Sequence, residues 1–214
     1  MIDNIEVFKQ NSIRITDRIG VIYIDPFQED FSPNDASYVF ITHDHYDHFS
    51  PEDIEKVVGS DTILVIPEKM AHKIDDIADL FSRIVTVKPG TFHQVSGLEF
   101  GTVPAYNLFK NFHPKQAEWV GYILHVGGKR IYIAGDTDAT KEAKAVKCDV
   151  ALVPIGGTYT MDAKKAAELV NEIHPEVAIP VHYGEFVGYP EDGLNFAEMV
   201  KKPVKVELKI PFGR

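Results

Sequence analysis

The sequence predicts an α/β fold of packed sheets and helices, on three observations. Short strand candidates separated by tight polar turns open the chain, strands alternating with helix-patterned segments close it, and no low-complexity linker divides the two parts. These observations fix the class and leave the topology open. With 214 residues and 44% hydrophobic content the chain can bury a substantial core, and one domain is expected over residues 1–214.

Three strand candidates come first, over residues 5–8, 12–15 and 21–24, joined by polar or glycine-containing turns that suit antiparallel pairing. A fourth, over 38–42, runs directly into a histidine-rich segment, so those histidines are expected on a loop at a strand's C-terminal end, a common place for chemistry. Ser50, Pro51 and Asp53 offer a capping hydroxyl, a proline at the first helical position and a carboxylate near the N-terminus, which predicts a helix through about Val58. A strand over 62–66, a helix within 68–81, a strand over 84–87 and two strands between Thr91 and Val103 follow.

Residues 119–126, the pair Gly127-Gly128 and residues 129–134 predict a hairpin, because paired glycines accept the positive φ of a two-residue turn. That hairpin delivers Asp136 at the end of a strand. After a strand over 150–154, Ala163, Ala166, Ala167 and Val170 recur at helical spacing, with Lys164, Lys165 and Glu168 on the other face, so a helix over 162–173 is expected to pack on a sheet. A strand over 177–181 ends at His182, and a helix near 194–201 precedes a strand over 204–210.

A formal net charge of -10 with no long Lys/Arg run argues against nucleic acid as a partner. A small anionic substrate stays compatible, since bound divalent ions would add positive charge where it docks. Neither a leader pattern nor an apolar run of about 18 residues occurs, so no signal peptide or spanning helix is expected and the reading is cytoplasmic. The lone Cys148 cannot form a disulfide within the chain and adjoins the apolar run 150–153, the signature of a buried structural thiol.

The segment His43-Asp44-His45-Tyr46-Asp47-His48 has the pattern H-x-H-x-D-H. Imidazole nitrogen and carboxylate oxygen suit zinc, manganese or iron, and a short loop carrying four such groups can serve two neighbouring ions; a solvated polar loop is the plain alternative. Further along, His113 lies in an irregular Asn- and Pro-containing segment, whereas His93 and His125 sit inside strand-like runs where a sheet-face side chain is the ordinary reading. Asp136 either caps its turn or ligates. His182 ends a buried-looking strand, while His174 precedes Pro175 at a helix terminus that favours a cation. His72, in a polar helix, reads as exposed. Thr160 reads first as a helix cap, and Tyr106, Asn107, Tyr159 and Tyr183 are candidates for substrate contact without a decisive feature.

With these segments the chain resembles the metallo-β-lactamase superfamily. Its details are similar to the small metal-dependent hydrolases around the ascorbate-6-phosphate lactonase and N-acylphosphatidylethanolamine phospholipase D branch. The likeness rests on the His43–His48 motif together with Pro104-Ala105-Tyr106-Asn107, Phe112-His113-Pro114, Ala134-Gly135-Asp136-Thr137-Asp138, Gly156-Gly157-Thr158-Tyr159-Thr160-Met161 and Val181-His182-Tyr183-Gly184. It implies a four-layer αββα sandwich. It also implies that His43, His45 and His113 bind one metal, that Asp47, His48 and His182 bind the other, and that Asp136 bridges them. Asp25 would support the histidine cluster from behind.

The chemistry expected of such a centre is hydrolysis of a lactone, another ester or a phosphoester by metal-activated water. The cofactors are two divalent ions, zinc first, with manganese or iron as alternatives, and Asp136 is a candidate proton relay. Competing readings are an iron-dependent oxidoreductase similar to persulfide dioxygenases and a non-catalytic metal-binding module. The substrate is expected to be a small molecule, and the oligomeric state is not specified.

Overall fold

Side chains alternating along the strands divide between apolar clusters on opposite faces, and this period of two builds the molecule. The computed structural model describes residues 2–210. The expected domain span 1–214 also includes Met1 and residues 211–214, which lie outside the described residues.

One sheet carries β1 (Ile5–Val7), β2 (Ile13–Asp17), β3 (Gly20–Ile24), β4 (Ala36–Phe40), β5 (Val58–Pro67) and β6 (Arg83–Val87), adjacent in that order. The first three pair antiparallel, and β3 to β6 are mutually parallel. The second sheet holds β7 (Phe92–Val95), β8 (Leu98–Pro104), β9 (Val120–Val126), β10 (Lys129–Ile133), β11 (Val150–Pro154), β12 (Val177–Val181) and β13 (Lys205–Val206), again in chain order. It too begins antiparallel and turns parallel from β10 onward.

Between the sheets lies one apolar cluster, to which the first contributes Ile13, Ile24 and Phe40 and the second Phe100, Tyr122, Ile133 and Leu152. The opposite faces are covered by helices. Tyr132, Ala151, Val153 and Ala178 turn away from the sheet interface to meet Ala166, Ala167 and Val170 of α3 (Ala163–Ile173), in a cluster that also takes Ala143 of α2 (Lys141–Lys144) and Phe196 of α4 (Asp192–Met199). On the outer side, Val39, Ile41 and Leu64 meet Ile54 and Val57 of α1 (Pro51–Val57). The arrangement is the expected αββα sandwich.

Most elements fall where the sequence places them. Ser50 caps α1, its hydroxyl accepting from the Asp53 amide, and Gly127 and Gly128 turn the β9–β10 hairpin at φ 57° and 74°. Two expectations need correction. Residues 68–81 form not an α-helix but two 3-10 turns, Glu68–Lys73 and Ala78–Leu80, neither with a side-chain cap. Asp75 and Asp76 interrupt the pattern between them, residues whose side chains favour turns over helix interior. The strand expected over 204–210 shrinks to Lys205–Val206, paired only with Val177 and Ala178 at the sheet's edge. The short α2, capped by Thr140, was not anticipated.

Candidate metal centre

Parallel strands that end together place their following loops together, and the candidate residues lie at such an edge. Asp25 follows β3, His43 to His48 follow β4, Asp136 follows β10 and His182 follows β12. Because β9 runs antiparallel to β10, its N-terminal approach, carrying His113 and Trp119, reaches the same edge. So does the β1–β2 turn with Gln10 and Asn11, since Ile13 pairs with Ile24. Gly156 permits close approach here: a Cβ on it would collide with the His182 carbonyl.

All seven candidate ligands converge. Three overlapping sets have ligating atoms within 4.8 Å of one another: His43, His45 and His113; His43, His48 and Asp136; Asp47, His48 and His182. His43 Nε2 lies 3.1 Å from His45 Nδ1, and His182 Nε2 lies 3.2 Å from Asp47 Oδ2. Asp136 Oδ2 is 3.2 Å from His113 Nε2 and 3.5 Å from His182 Nε2, while its Oδ1 is 3.4 Å from His48 Nε2. Tetrahedral coordination with bonds of about 2.0–2.1 Å separates donor atoms by about 3.4 Å, so these spacings fit a divalent cation among the side chains.

Three of the imidazoles are tied from behind. Asp25 Oδ2 meets His48 Nδ1 at 2.7 Å and accepts the Thr42 hydroxyl at 2.6 Å, while Asp25 Oδ1 accepts the Thr42 amide at 2.7 Å. The Thr42 oxygen in turn lies 3.0 Å from His43 Nδ1. Asn107 Oδ1 stands 3.1 Å from His113 Nδ1. These acceptors favour Nδ1–H on His43, His48 and His113 and leave each Nε2 lone pair facing the cluster.

Charge follows the same pattern. Burial and the neighbouring His48 hold His43 well below its ordinary pKa, and burial with His113 lowers His45. Burial opposes ionisation of Asp136 and Asp47, but the surrounding imidazoles outweigh it and both carboxyls titrate below their usual range. For His48, burial is outweighed by Asp136, Asp25 and Asp47, which push it up to about 9. Asp47 and Asp136 ionised with His43 and His45 neutral are the forms that ligate metals, whereas His48 holds a proton among the carboxylates and would release it to a cation.

Several roles differ from expectation. Asp162, not Thr160, caps α3, accepting from the Lys165 amide; the Thr160 hydroxyl turns to the Met161 carbonyl. Tyr106 directs its hydroxyl to Glu142 at 2.8 Å, and Tyr183 is buried in the cluster beneath α3 and α4. Asn107 orients His113 and bonds the Tyr159 carbonyl. Others are as expected: His93 and His125 lie on strands, His72 is exposed, and His174 stands at a helix terminus, as the left-handed C-cap of α3. Cys148 is buried, its thiol pushed up to about 12 chiefly by that burial, and it is remote from the cluster in the layer beneath α3.

Gln10 and Trp119 carried no signal in the sequence. Gln10 Nε2 donates to Asp47 Oδ2 at 3.1 Å, and its carbonyl accepts the His182 amide. Trp119 packs its ring against His43, His45 and His113 at centroid distances of 5.0, 4.9 and 5.6 Å. Among the described residues no helix is long and apolar enough to cross a membrane.

Residues 4–182 match the family model described as beta-lactamase superfamily domain. A UPF0173 metal-dependent hydrolase of Symbiobacterium thermophilum is 32% identical over 212 residues, covering 90% of this chain and 89% of that protein. The crystal structure of a Parabacteroides distasonis protein, assigned by inference as a metal-dependent hydrolase, superposes with a TM-score of 0.82 at 28% identity, covering 96% of this chain and 91% of that one. Igni18, a metallo hydrolase of Ignicoccus hospitalis, shares the fold with a TM-score of 0.78 at 24% identity over 97% of this chain and 94% of its own.

Proposed function

Since the chain belongs to the beta-lactamase superfamily, among the UPF0173 metal-dependent hydrolases, we propose that it is a binuclear hydrolase of a small-molecule lactone, other ester or phosphoester. In this reading His43, His45 and His113 hold one divalent cation, Asp47, His48 and His182 hold the second, and Asp136 spans both.

One observation carries it. His48 Nε2, His113 Nε2 and Asp136 Oδ1 are buried and have no hydrogen-bond partner, although each lies beside other ligand atoms. Burying such atoms without compensation is unfavourable, and a cation among them supplies it. That Asp136 Oδ2 is within 3.5 Å of an imidazole from each set supports the bridging role. A donor set this rich in imidazole favours zinc, with manganese or iron as alternatives.

Divalent ions bound there supply Lewis acidity and lower the pKa of water enough for attack near neutral pH. The protein's own part is positional. Asp25, Thr42 and Asn107 fix the imidazoles, Trp119 packs over three of them on one side, and Asp136, held ionised by the surrounding imidazoles, is the candidate relay for the proton that passes from water to the leaving oxygen. A cytoplasmic setting belongs to the same reading.

The test is metal content by elemental mass spectrometry on protein purified without a metal-affinity tag, paired with turnover of lactone, ester and phosphodiester probes. About two zinc ions per chain are expected, and Asp136→Ala should keep the far-UV circular dichroism of the parent while losing turnover. Full activity in that variant would falsify the assignment.

A further inference from the structure

The loops around the cluster expose an arc of aromatic rings in two groups. Phe186 packs edge-on to Phe27 at 5.9 Å, and Phe27 to Tyr46 at 6.0 Å. In a second group, Tyr159 meets Phe112 at 4.6 Å. Phe27 is buried and serves as the seat of its two neighbours, whereas Tyr46, Tyr159, Phe112 and Phe186 are exposed. Three residues before Phe112 in the same loop, Phe109 is 97% exposed.

These rings are held in register with the candidate ligands. Tyr46 lies between His45 and Asp47, Phe112 adjoins His113, and Phe186 follows four residues after His182. Tyr159 is tied through its carbonyl to Asn107, the residue that orients His113. Phe109 is no loose tip: the Leu108 amide donates to Asp138 Oδ2 at 2.9 Å and Lys110 pairs with Asp138 Oδ1 at 2.6 Å, so one buried carboxylate clamps both flanking residues. A clamped, water-exposed phenylalanine on a loop that also carries a candidate ligand gains when something apolar covers it.

Charge selects the cover. The same loops carry Asp30 and Glu185, both exposed, on a chain of net charge -10. Two copies meeting through this face would oppose like charges, and an anionic bilayer would be repelled. A small molecule with an apolar tail meets neither penalty.

Building on the hydrolase reading, we propose that the arc binds the apolar tail of the substrate, so that the preferred substrate is an amphipathic ester or phosphoester whose hydrolysable head enters the cluster. The tail supplies affinity by area, and the head is positioned by the ligands.

Straight-chain carboxylates from acetate to octanoate, which mimic the acyl product, test this by binding alone. The single tryptophan, Trp119, stands against three of the candidate ligands and provides the fluorescence readout. With zinc-loaded protein, Kd should fall about threefold to fourfold per added methylene, and the trend should flatten in Phe109→Ser and in Tyr46→Ser, changes at exposed positions that leave the core intact. Equal affinity along the series, or a steep series unaltered by both substitutions, overturns the proposal. So does a dimer of the parent in sedimentation that Phe109→Ser dissolves, which would make the arc an interface between copies. The same titration without zinc separates this idea from the one beneath it. A chain that takes up no metal yet retains the length dependence loses the hydrolase reading and keeps the apolar site, whereas a chain with two ions and no length dependence does the reverse.

Discussion

Asp25 shows how far the candidate centre depends on a residue outside it. Fully buried and held at φ 47°, it takes the Asn11 amide at 2.8 Å in addition to its contacts with Thr42 and His48. In Asp25→Asn one acceptor oxygen becomes a donating NH2: at the Oδ2 position it would face the His48 Nδ1–H, the Thr42 hydroxyl and the Asn11 amide, and at the Oδ1 position the Thr42 backbone amide. Zinc affinity should drop about 10- to 100-fold, read by competition with a chromophoric chelator, with the fold retained. Unchanged affinity would mean that packing alone orients His48. The contrast with Gln10 marks what was legible. Four candidate ligands lie within one hexapeptide, so their spacing is visible in the chain. Gln10 meets Asp47 and His182 across 37 and 172 residues, and nothing in its own neighbourhood distinguishes it from any polar turn residue. Trp119 likewise reads as a strand-edge aromatic until the β9–β10 pairing brings it against the histidines.

At the scale of elements, the Ser50-Pro51 start of α1 was readable, whereas the caps Thr140 of α2 and Asp162 of α3 were passed over, and the 68–81 segment has an apolar spacing like a helix but no cap, and folds as 3-10 turns. Asp53 on α1 does more than cap: it accepts the Gln28 and Glu29 amides at 2.9 and 3.0 Å and pairs with Lys56 at 2.9 Å, fastening the loop after β3 to the helix. Burial alone would raise its pKa, but Lys56, Ser50 and the two amides outweigh it, and the carboxyl titrates below its ordinary value. A folded pKa below the unfolded one makes stability rise with pH. The contribution is complete above the unfolded value of about 3.9 and is lost as pH falls through the folded pKa. Urea unfolding of the parent and of Asp53→Asn should therefore differ most near neutral pH and draw together in acid, with the variant the weaker by about 1 kcal/mol at pH 7 for its cap and loop contacts. A gap that widens on acidification would contradict this assignment.

On the scale of the whole molecule, the site is where the two sheets are joined. Asp25 and the His43–His48 loop belong to the first sheet, while His113, Asp136 and His182 belong to the second, and the Val120 amide crosses to the Thr42 carbonyl at 3.2 Å. The hexapeptide alone could bind a cation weakly in the unfolded chain. The other three candidate ligands lie 65 to 134 residues further on, from His48 to His113 and to His182, so the full candidate set comes together only when both sheets are packed together. Binding to the native state and little to the unfolded one raises stability by RT ln(1 + [L]/Kd), about 2.7 kcal/mol at a free metal concentration one hundred times Kd. For a chain of this length that corresponds to a shift in Tm of about 5 to 10 °C. Stripping with EDTA should lower Tm by that amount, added zinc should restore it, and Asp136→Ala should show a smaller response because a ligand proposed to serve both ions is gone. A parent protein that takes up zinc with no change in Tm would show that the cation binds folded and unfolded chains alike, which a ligand set divided between two sheets does not allow.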